Sequence, residues 1–459
     1  MFRKWRRDGP NRASTRLLTH RPHVGFKSAP VLLHTGLMAN RIAPFWDQIA
    51  QRGVSAMAEE LSDAEAVQIT EAYGTHNYKP LAVNLVRGEG ALCWDGSGKQ
   101  FIDCVGAYSA VAHGHLSEKM VDAVHDQLER LSLASRAVYT SELALFLKGL
   151  AEYCDLDMVC PMNTGAEAVE TAIKIARKWA YTVKGVPEDQ AEIIVCDGNF
   201  HGRTTTIVGF STEPGYKAHF GPFTPGFKVI PFGDAEALEA AITPNTAAFL
   251  LEPIQAEGGI IIPETGFMAR ARELCSANNV LLTWDEVQTG FGRTGKRFAW
   301  QWEDAKPDLM AVGKPLGGGI MPVSAAVGKR DVMEVLKPGD HGSTFGGNPL
   351  GCVVALSALA EMEVEGFADM ALSKGQRLMD GLRSLNASQI LEVRGRGLLV
   401  GMEVQASVDS TELTHNLLHN GLLTKETRHK TFRFTPPIVI ADELIDEIVE
   451  RVGRSLHGL

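Results

Sequence analysis

The sequence predicts an α/β fold: a mostly parallel sheet covered by helices, joined to a smaller α+β region. Three observations carry this. Short apolar runs recur without strict alternation, helix-length segments separate them, and the pattern changes after about residue 350. The candidate strands are residues 192–196, 247–251, 280–284 and 309–312. Strands buried on both faces need no polar alternate positions, and these runs do not strictly alternate. Asp197, Glu252 and Asp285 follow their strands directly, and Lys314 follows after a Gly. In open parallel sheets ligands gather at the carboxyl ends of strands, so four such residues together point to a shared site.

A helix is expected from Thr164-Gly165-Ala166-Glu167, where Thr164 and Glu167 form a capping-box pattern. Ala166, Val169, Ile173, Ala176, Ala180 and Val183 recur at helical spacing, with Glu167, Glu170, Thr171, Lys174 and Lys178 on the opposite face. Two readings stand. It is an ordinary amphipathic helix, or the Gly at its entrance leaves backbone N–H groups and the positive dipole end open to a phosphate. Later, helical stretches over residues 353–365 and 370–385 lead into residues 395–403 and Phe432-Arg433-Phe434, a separate α+β region. There is no internal repeat, no Gly-x-Gly-x-x-Gly opening a βαβ unit and no phosphate-loop motif. His113 and His115 have no further ligands at metal spacing; they read as loop and core histidines, and no metal is expected.

Length and charge set the outer bounds. A chain of 459 residues suggests two or three domains. No apolar run approaches ~18 residues, so no membrane span is expected. A net charge of −10 argues against nucleic acid as a partner. The seven cysteines are odd in number and include no CxxC, so they read as reduced, mostly buried thiols of a cytoplasmic protein. The charge is uneven: residues 1–56 carry a net +8 and the remainder −18. That basic start reads as a mitochondrial transit peptide or as a non-native extension with Met57 as the working initiator. It is expected to be disordered. An acid-rich helical stretch begins just after Met57.

The chemistry concentrates at two strand ends. Asp285 opens the run DEVQTGFGRTG, and a desolvated carboxylate there needs a cationic partner. Lys314 lies between a Gly and a Pro, ahead of three consecutive glycines at residues 317–319. Most lysines are solvated, but one so placed is a candidate for a desolvated amine of low pKa, able to form a Schiff base. An amine, a carboxylate and a helix N-terminus are the parts that a pyridoxal 5′-phosphate (PLP) enzyme requires. Here they are Lys314, Asp285 and Gly165-Ala166.

Residues 70–459 resemble the class III aminotransferases of PLP fold type I, and within them the ornithine δ-aminotransferases. The stretches that carry the resemblance are YGTHNYKPL at residues 73–81, YSAV at 108–111, PMNTGAEA at 161–168, NFHGRT at 199–204, EPIQAEGG at 252–259, the Asp285 and Lys314 segments, and HGSTFGGNP at 341–349. The resemblance implies a seven-stranded, mostly parallel sheet in a large domain at 113–365. A small domain would come from the N-terminal segment, 57–112, and the C-terminus, 366–459. It implies that Lys314 binds the cofactor covalently and moves a proton, Asp285 pairs with the pyridinium nitrogen, and Gln288 bonds the phenolic oxygen. Phe200 and Val287 would cover the ring faces, and Gly165 and Ala166 would bind phosphate, with Thr344 supplied by a second subunit of a homodimer or larger homo-oligomer. Tyr78, Tyr108 and Arg203 would receive L-ornithine, and Arg433 the α-carboxylate of glutamate or 2-oxoglutarate, covered by Glu257 when ornithine is bound. Two departures are visible: His201, where many eukaryotic members have Trp, and Ala256 in place of a Gly. The implied activity is transfer of the ornithine δ-amine to 2-oxoglutarate. The alternatives are another ω-aminotransferase, acting on acetylornithine or 4-aminobutyrate, and a PLP aminomutase.

Overall fold

The computed structural model describes residues 45–364 and 366–459. Most of the basic start, and the disorder expected of it, lies outside the described residues. The described residues fall into two units, taken separately. In the first, residues 45–52 and Val54–Glu59 are helical.

The second unit, Ser62–Leu459, contains three sheets. It opens with a helix, Asp63–Tyr73, held by a capping box between Ser62 and Glu65. Strands β1 (Leu85–Glu89), β2 (Leu92–Asp95) and β3 (Gln100–Asp103) then form an antiparallel meander. The large sheet follows: β4 (Met158–Met162), β5 (Glu192–Cys196), β6 (Phe227–Ile230), β7 (Thr246–Leu251), β8 (Leu281–Asp285), β9 (Leu309–Val312) and β10 (Ser324–Gly328). Its order is β4-β10-β9-β8-β7-β5-β6. β10 runs antiparallel to both neighbours, and every other pairing is parallel. Six strands therefore end on one edge. β7 to β10 are buried at every position, which is why their sequences do not alternate. Asp285 is the last residue of β8 rather than the residue after it.

The helix Gly165–Trp179 packs its apolar side on this sheet, with Val169, Ala172, Ile173 and Ala176 in one cluster with Ile193, Val195, Leu281 and Ala311. The outer face differs from expectation at Thr171, which is fully buried. The segment carrying His341 covers it: the Thr171 hydroxyl donates to the Glu167 carbonyl at 2.7 Å and lies 2.8 Å from His341 Nε2.

The C-terminal part supplies β11 (Ile390–Arg396), β12 (Leu399–Val404), β13 (Leu422–Leu423), β14 (Lys425–Glu426) and β15 (Thr431–Phe434). The third sheet is β11-β12-β15-β14, while β13 pairs in parallel with β3. The smaller region is thus built from both ends of the unit. All seven cysteines are free and buried. Among the described residues no helix is long and apolar enough to cross a membrane.

His115 is less isolated than its sequence neighbours suggest. The fold brings Cys93 and Asp103 to it, with donor atoms within 4.8 Å of one another. His115 Nε2 lies 2.8 Å from Asp103 Oδ2, and bonds to Asp103 and then Cys93 push the imidazole up to about 10, so it is charged. The other Asp103 oxygen accepts the N–H groups of Val105 and Gly106. These bonds fix the start of a run, Gly106 to Ser109, in which all four residues have positive φ. Non-glycine residues rarely adopt that conformation, so the run needs such support. It carries Tyr108.

Gly375, on the helix Phe367–Ser384, meets the β11–β12 turn so closely that an added Cβ would lie 1.9 Å from the Gly397 carbonyl oxygen. Gly375→Ala is therefore expected to destabilise the protein by about 3 kcal/mol or more, because backbone rather than a flexible side chain must move. Chemical denaturation of the variant and its parent checks this.

Candidate active site

Lys314 follows β9 at the shared strand-end edge and has a positive φ of 45°. Its Nζ donates to Gln288 Oε1 at 3.0 Å. Burial is the main influence on the amine and lowers it to about 8, against the attraction of Glu257 and Asp285. A lysine so shifted is partly neutral near neutral pH, as a nucleophile requires.

Asp285 is buried at the end of β8, the neighbouring strand. Its Oδ1 accepts the Val287 N–H at 3.0 Å, and its Oδ2 lies 2.7 Å from His201 Nδ1. Burial works against charge on His201, but the bond to Asp285 outweighs it and holds the imidazole above its usual range. His201 Nε2 is buried without a hydrogen-bond partner among the described residues. Glu252, just after β7, accepts the Phe200 N–H at 3.0 Å. Burial pushes Glu252 up to about 7.

The helix beginning at Gly165 opens from the same edge, because β4 ends there. Thr164 and Glu167 form the expected capping box, which uses the Glu167 and Thr164 N–H groups and leaves those of Gly165 and Ala166 available. Closeness requires glycine here: a Cβ on Gly165 would come within 2.8 Å of Val287 Cγ1, and one on Gly202 within 2.8 Å of Ala166 Cβ.

Two cavities meet at Phe200 and Lys314. The inner one, of 180 Å³, is lined by Gly165, Ala166, Phe200, Asp285, Val287, Gln288 and Lys314, and also by His201 and Glu252. The outer one, of 700 Å³, is lined by Tyr78, Tyr108, Arg203, Glu257 and Arg433, with Tyr216 and Arg428 added. Arg433, on β15, is buried and donates from Nη1 to Glu257 Oε1. Burial alone would raise Glu257, but Arg433 and Lys314 bring it below the usual carboxylate range. The Tyr108 ring faces the Arg433 guanidinium at 5.1 Å. Tyr78 is exposed and lines the same cavity, and Arg203 stacks on Tyr216 at 3.5 Å. Of the residues singled out from the sequence, Asp197 and Thr344 line neither cavity: Asp197 is exposed just after β5, so it does not join the other strand-end residues, and Thr344 is exposed in the segment leading to the helix Pro349–Met362.

Sequence reasoning gave no role to His201, Glu252, Tyr216 or Arg428. Glu252 carried a signal as a strand-end acid. His201 stood out only as a departure, and nothing local marks Tyr216 or Arg428.

The donor set of the inner cavity suits a flat, anionic, pyridine-type cofactor. Free helix N–H groups stand at one end, a carboxylate and an amine at others, and Phe200 and Val287 offer apolar surfaces. The site defines a class of protein, and the comparison with known proteins agrees. The aminotransferase class-III family model matches residues 73–456, and the chain belongs to that family. The cofactor of this class is PLP. More narrowly, the chain is 50% identical over 391 residues to the ornithine aminotransferase of Brevibacillus brevis, covering 85% of this chain and 98% of that protein. It superposes on the crystal structure of the Toxoplasma gondii ornithine aminotransferase with a TM-score of 0.85 at 41% identity, covering 92% and 98% of the two chains. It is also similar to the acetylornithine aminotransferase of Elizabethkingia anophelis, with a TM-score of 0.79 at 41% identity, covering 87% and 100%.

One consequence of the strand-end chemistry is a pH dependence of stability. Glu286, beside Asp285, is fully buried and accepts the Trp300 N–H at 2.9 Å. Burial pushes it up to about 7. A carboxyl whose folded pKa lies above its unfolded value stabilises the fold fully at acid pH and loses that contribution as pH rises through 7. For Glu286 the loss is on the order of 3 kcal/mol. Glu286→Gln is expected to flatten the fall in stability between pH 5 and 8, measured by urea denaturation at several pH values.

Proposed function

We propose that this chain transfers the δ-amino group of L-ornithine to 2-oxoglutarate. The products are glutamate and glutamate 5-semialdehyde, which cyclises to pyrroline-5-carboxylate. One observation supports this reading above the others: the outer cavity holds one arginine masked by an acid, Arg433 with Glu257, and a second, Arg203, without an acidic partner among the described residues. Such a pair suits a site that must accept two unlike substrates in turn.

PLP, when bound, supplies an aldehyde for amine exchange and a ring that withdraws electrons from the reacting carbon. The N–H groups of Gly165 and Ala166 would hold its phosphate, Asp285 its ring nitrogen and Gln288 its phenolic oxygen. Phe200 and Val287 would enclose its faces, and Lys314 would anchor it. His201 orients Asp285 through Nδ1. Lys314 Nζ, set by burial to about 8, takes up and returns the proton at the substrate carbon.

Ornithine places its α-carboxylate on Arg203 and its α-amine near the Tyr78 hydroxyl, so the δ-amine points toward Lys314. Glu257 meanwhile neutralises Arg433 and denies it to ornithine. A 2-oxoglutarate or glutamate α-carboxylate displaces Glu257 and forks onto Arg433. The homodimer belongs to the same reading, with Thr344 reaching the neighbouring site; the adjacent Phe345 and the fully exposed Tyr139 offer apolar surface for it. A cytoplasmic setting goes with seven free thiols and bacterial relatives, which lend no support to a mitochondrial one. The reaction would link arginine breakdown to proline synthesis.

The likeness to an acetylornithine aminotransferase favours a second reading, in which the donor carries an acetylated α-amine. Tyr78 argues against it, since an acetylated nitrogen needs no such partner. A donor panel of ornithine, acetylornithine and 4-aminobutyrate with 2-oxoglutarate decides between them. Ornithine is expected to have the highest kcat/KM by at least tenfold; a preference for acetylornithine overturns the proposal.

The gate has its own consequence. Removing one partner of a buried ion pair leaves an uncompensated charge, worth about 3–5 kcal/mol. Glu257→Ala is expected to speed the glutamate half-reaction relative to the ornithine one and to raise the fraction of ornithine reacting at its α-amine. Single-turnover rates with product analysis measure both.

A further inference from the structure

The outer cavity contains a third guanidinium, Arg428, whose Nε and Nη2 are buried without a hydrogen-bond partner among the described residues. Buried N–H groups of a charged side chain are almost always satisfied, so two on one residue ask for an acceptor. The nearest acid, Glu213, stands 3.4 Å from Nε and is itself about one-third exposed. Arg428 also lies 5.6 Å from the centre of the Tyr216 ring, on which Arg203 stacks at 3.5 Å. One aromatic ring thus gathers two guanidiniums, while Arg433 faces a different ring, Tyr108.

The backbone goes to some length to deliver Arg428 there. It opens the tight turn between β14 and β15, in which the Thr431 N–H returns to the Arg428 carbonyl at 3.2 Å. The two central residues, His429 and Lys430, have φ of 57° and 53°, and neither is the glycine such a turn prefers. Lys430 Nζ anchors the turn on the carbonyls of Ala406 and Val408, each at 2.7 Å.

We infer that Arg428 joins Arg203 in binding the substrate carboxylate remote from the reacting carbon: the α-carboxylate of ornithine and the γ-carboxylate of 2-oxoglutarate. This rests on the function proposed above. Glu213 stands to Arg428 as Glu257 stands to Arg433, an acid that holds the arginine until a carboxylate arrives. Its contact is looser, so Arg428 yields to either substrate, while Arg433 yields only to one.

The test uses the PLP-loaded enzyme. Arg428→Gln is expected to raise the apparent dissociation constants of ornithine and 2-oxoglutarate in single-turnover half-reactions about 10- to 100-fold, the range for a hydrogen bond to a charged group, with limiting rates little changed. Substrates lacking a remote carboxylate, 1,4-diaminobutane and pyruvate, keep their constants. Arg428→Lys loses less, because it retains the charge but not the fork. Glutarate, which has no group to react, is titrated calorimetrically; it weakens in Arg428→Gln and tightens in Glu213→Gln. Parallel shifts of all four substrates, or glutarate affinity unaltered in both variants, overturn the assignment. If Arg428→Gln does not fold, Glu213→Gln with unaltered glutarate affinity is sufficient to overturn it. Should ornithine prove no substrate at all, the functional proposal fails, and the glutarate titration still reports on Arg428.

Discussion

A lysine amine kept out of water must be partly neutral without being expelled from the protein. Lys314 meets that demand through its surroundings. Burial lowers its pKa to about 8, and Glu257, Asp285 and Glu252 pull the other way strongly enough to keep the site from rejecting the charge altogether. Those acids face the same demand in reverse. Glu252 answers it by rising to about 7, and Glu257 by pairing with Arg433. None of these groups is tolerable alone at that depth; together they form a near-balanced set in which one proton can move at small expense.

The balance depends on placement, and placement comes from the sheet. Six strands of the large sheet end on one edge, so residues from β4, β5, β7, β8 and β9 reach a single point although they span residues 162 to 314. The smaller region then brings Arg433 and Arg428 in from β15 and its turn, and the meander brings Tyr108. That tyrosine rides on four residues of positive φ, whose start is held by Asp103 and the charged His115. His115, read from the sequence as a loop or core histidine, therefore helps set the geometry of the outer cavity through Asp103.

The proposed function asks one cavity to handle two unlike substrates. Phe200 and Lys314 form the boundary between an inner chamber, with dipoles and a carboxylate suited to a fixed cofactor, and an outer chamber dominated by guanidiniums. An arginine exposed to every carboxylate would bind without discrimination. Pairing it with a glutamate sets a threshold, and the tightness of the pair sets its height. Under the proposed reading, the close Arg433–Glu257 bond and the longer Arg428–Glu213 contact would set two such heights.

Much of this was legible in the sequence. Strands buried on both faces announce themselves as unbroken apolar runs, a helix start by its capping residues, and a desolvated Lys or Asp by its place at a strand end. These are local signals, set by burial and backbone geometry within a few residues. The sequence by itself determined the parallel sheet, the Thr164 cap, and Lys314 and Asp285 as partners in chemistry; the further roles came through resemblance. Only the tertiary structure decided that His201 holds Asp285, that Thr171 is covered by His341, and that Asp103 and His115 steady Tyr108. It alone brought Arg428 beside Arg203 on Tyr216. Most of these depend on residues tens to hundreds of positions apart, and the energy of a buried charge is set by whichever neighbours the fold delivers, which no local pattern encodes.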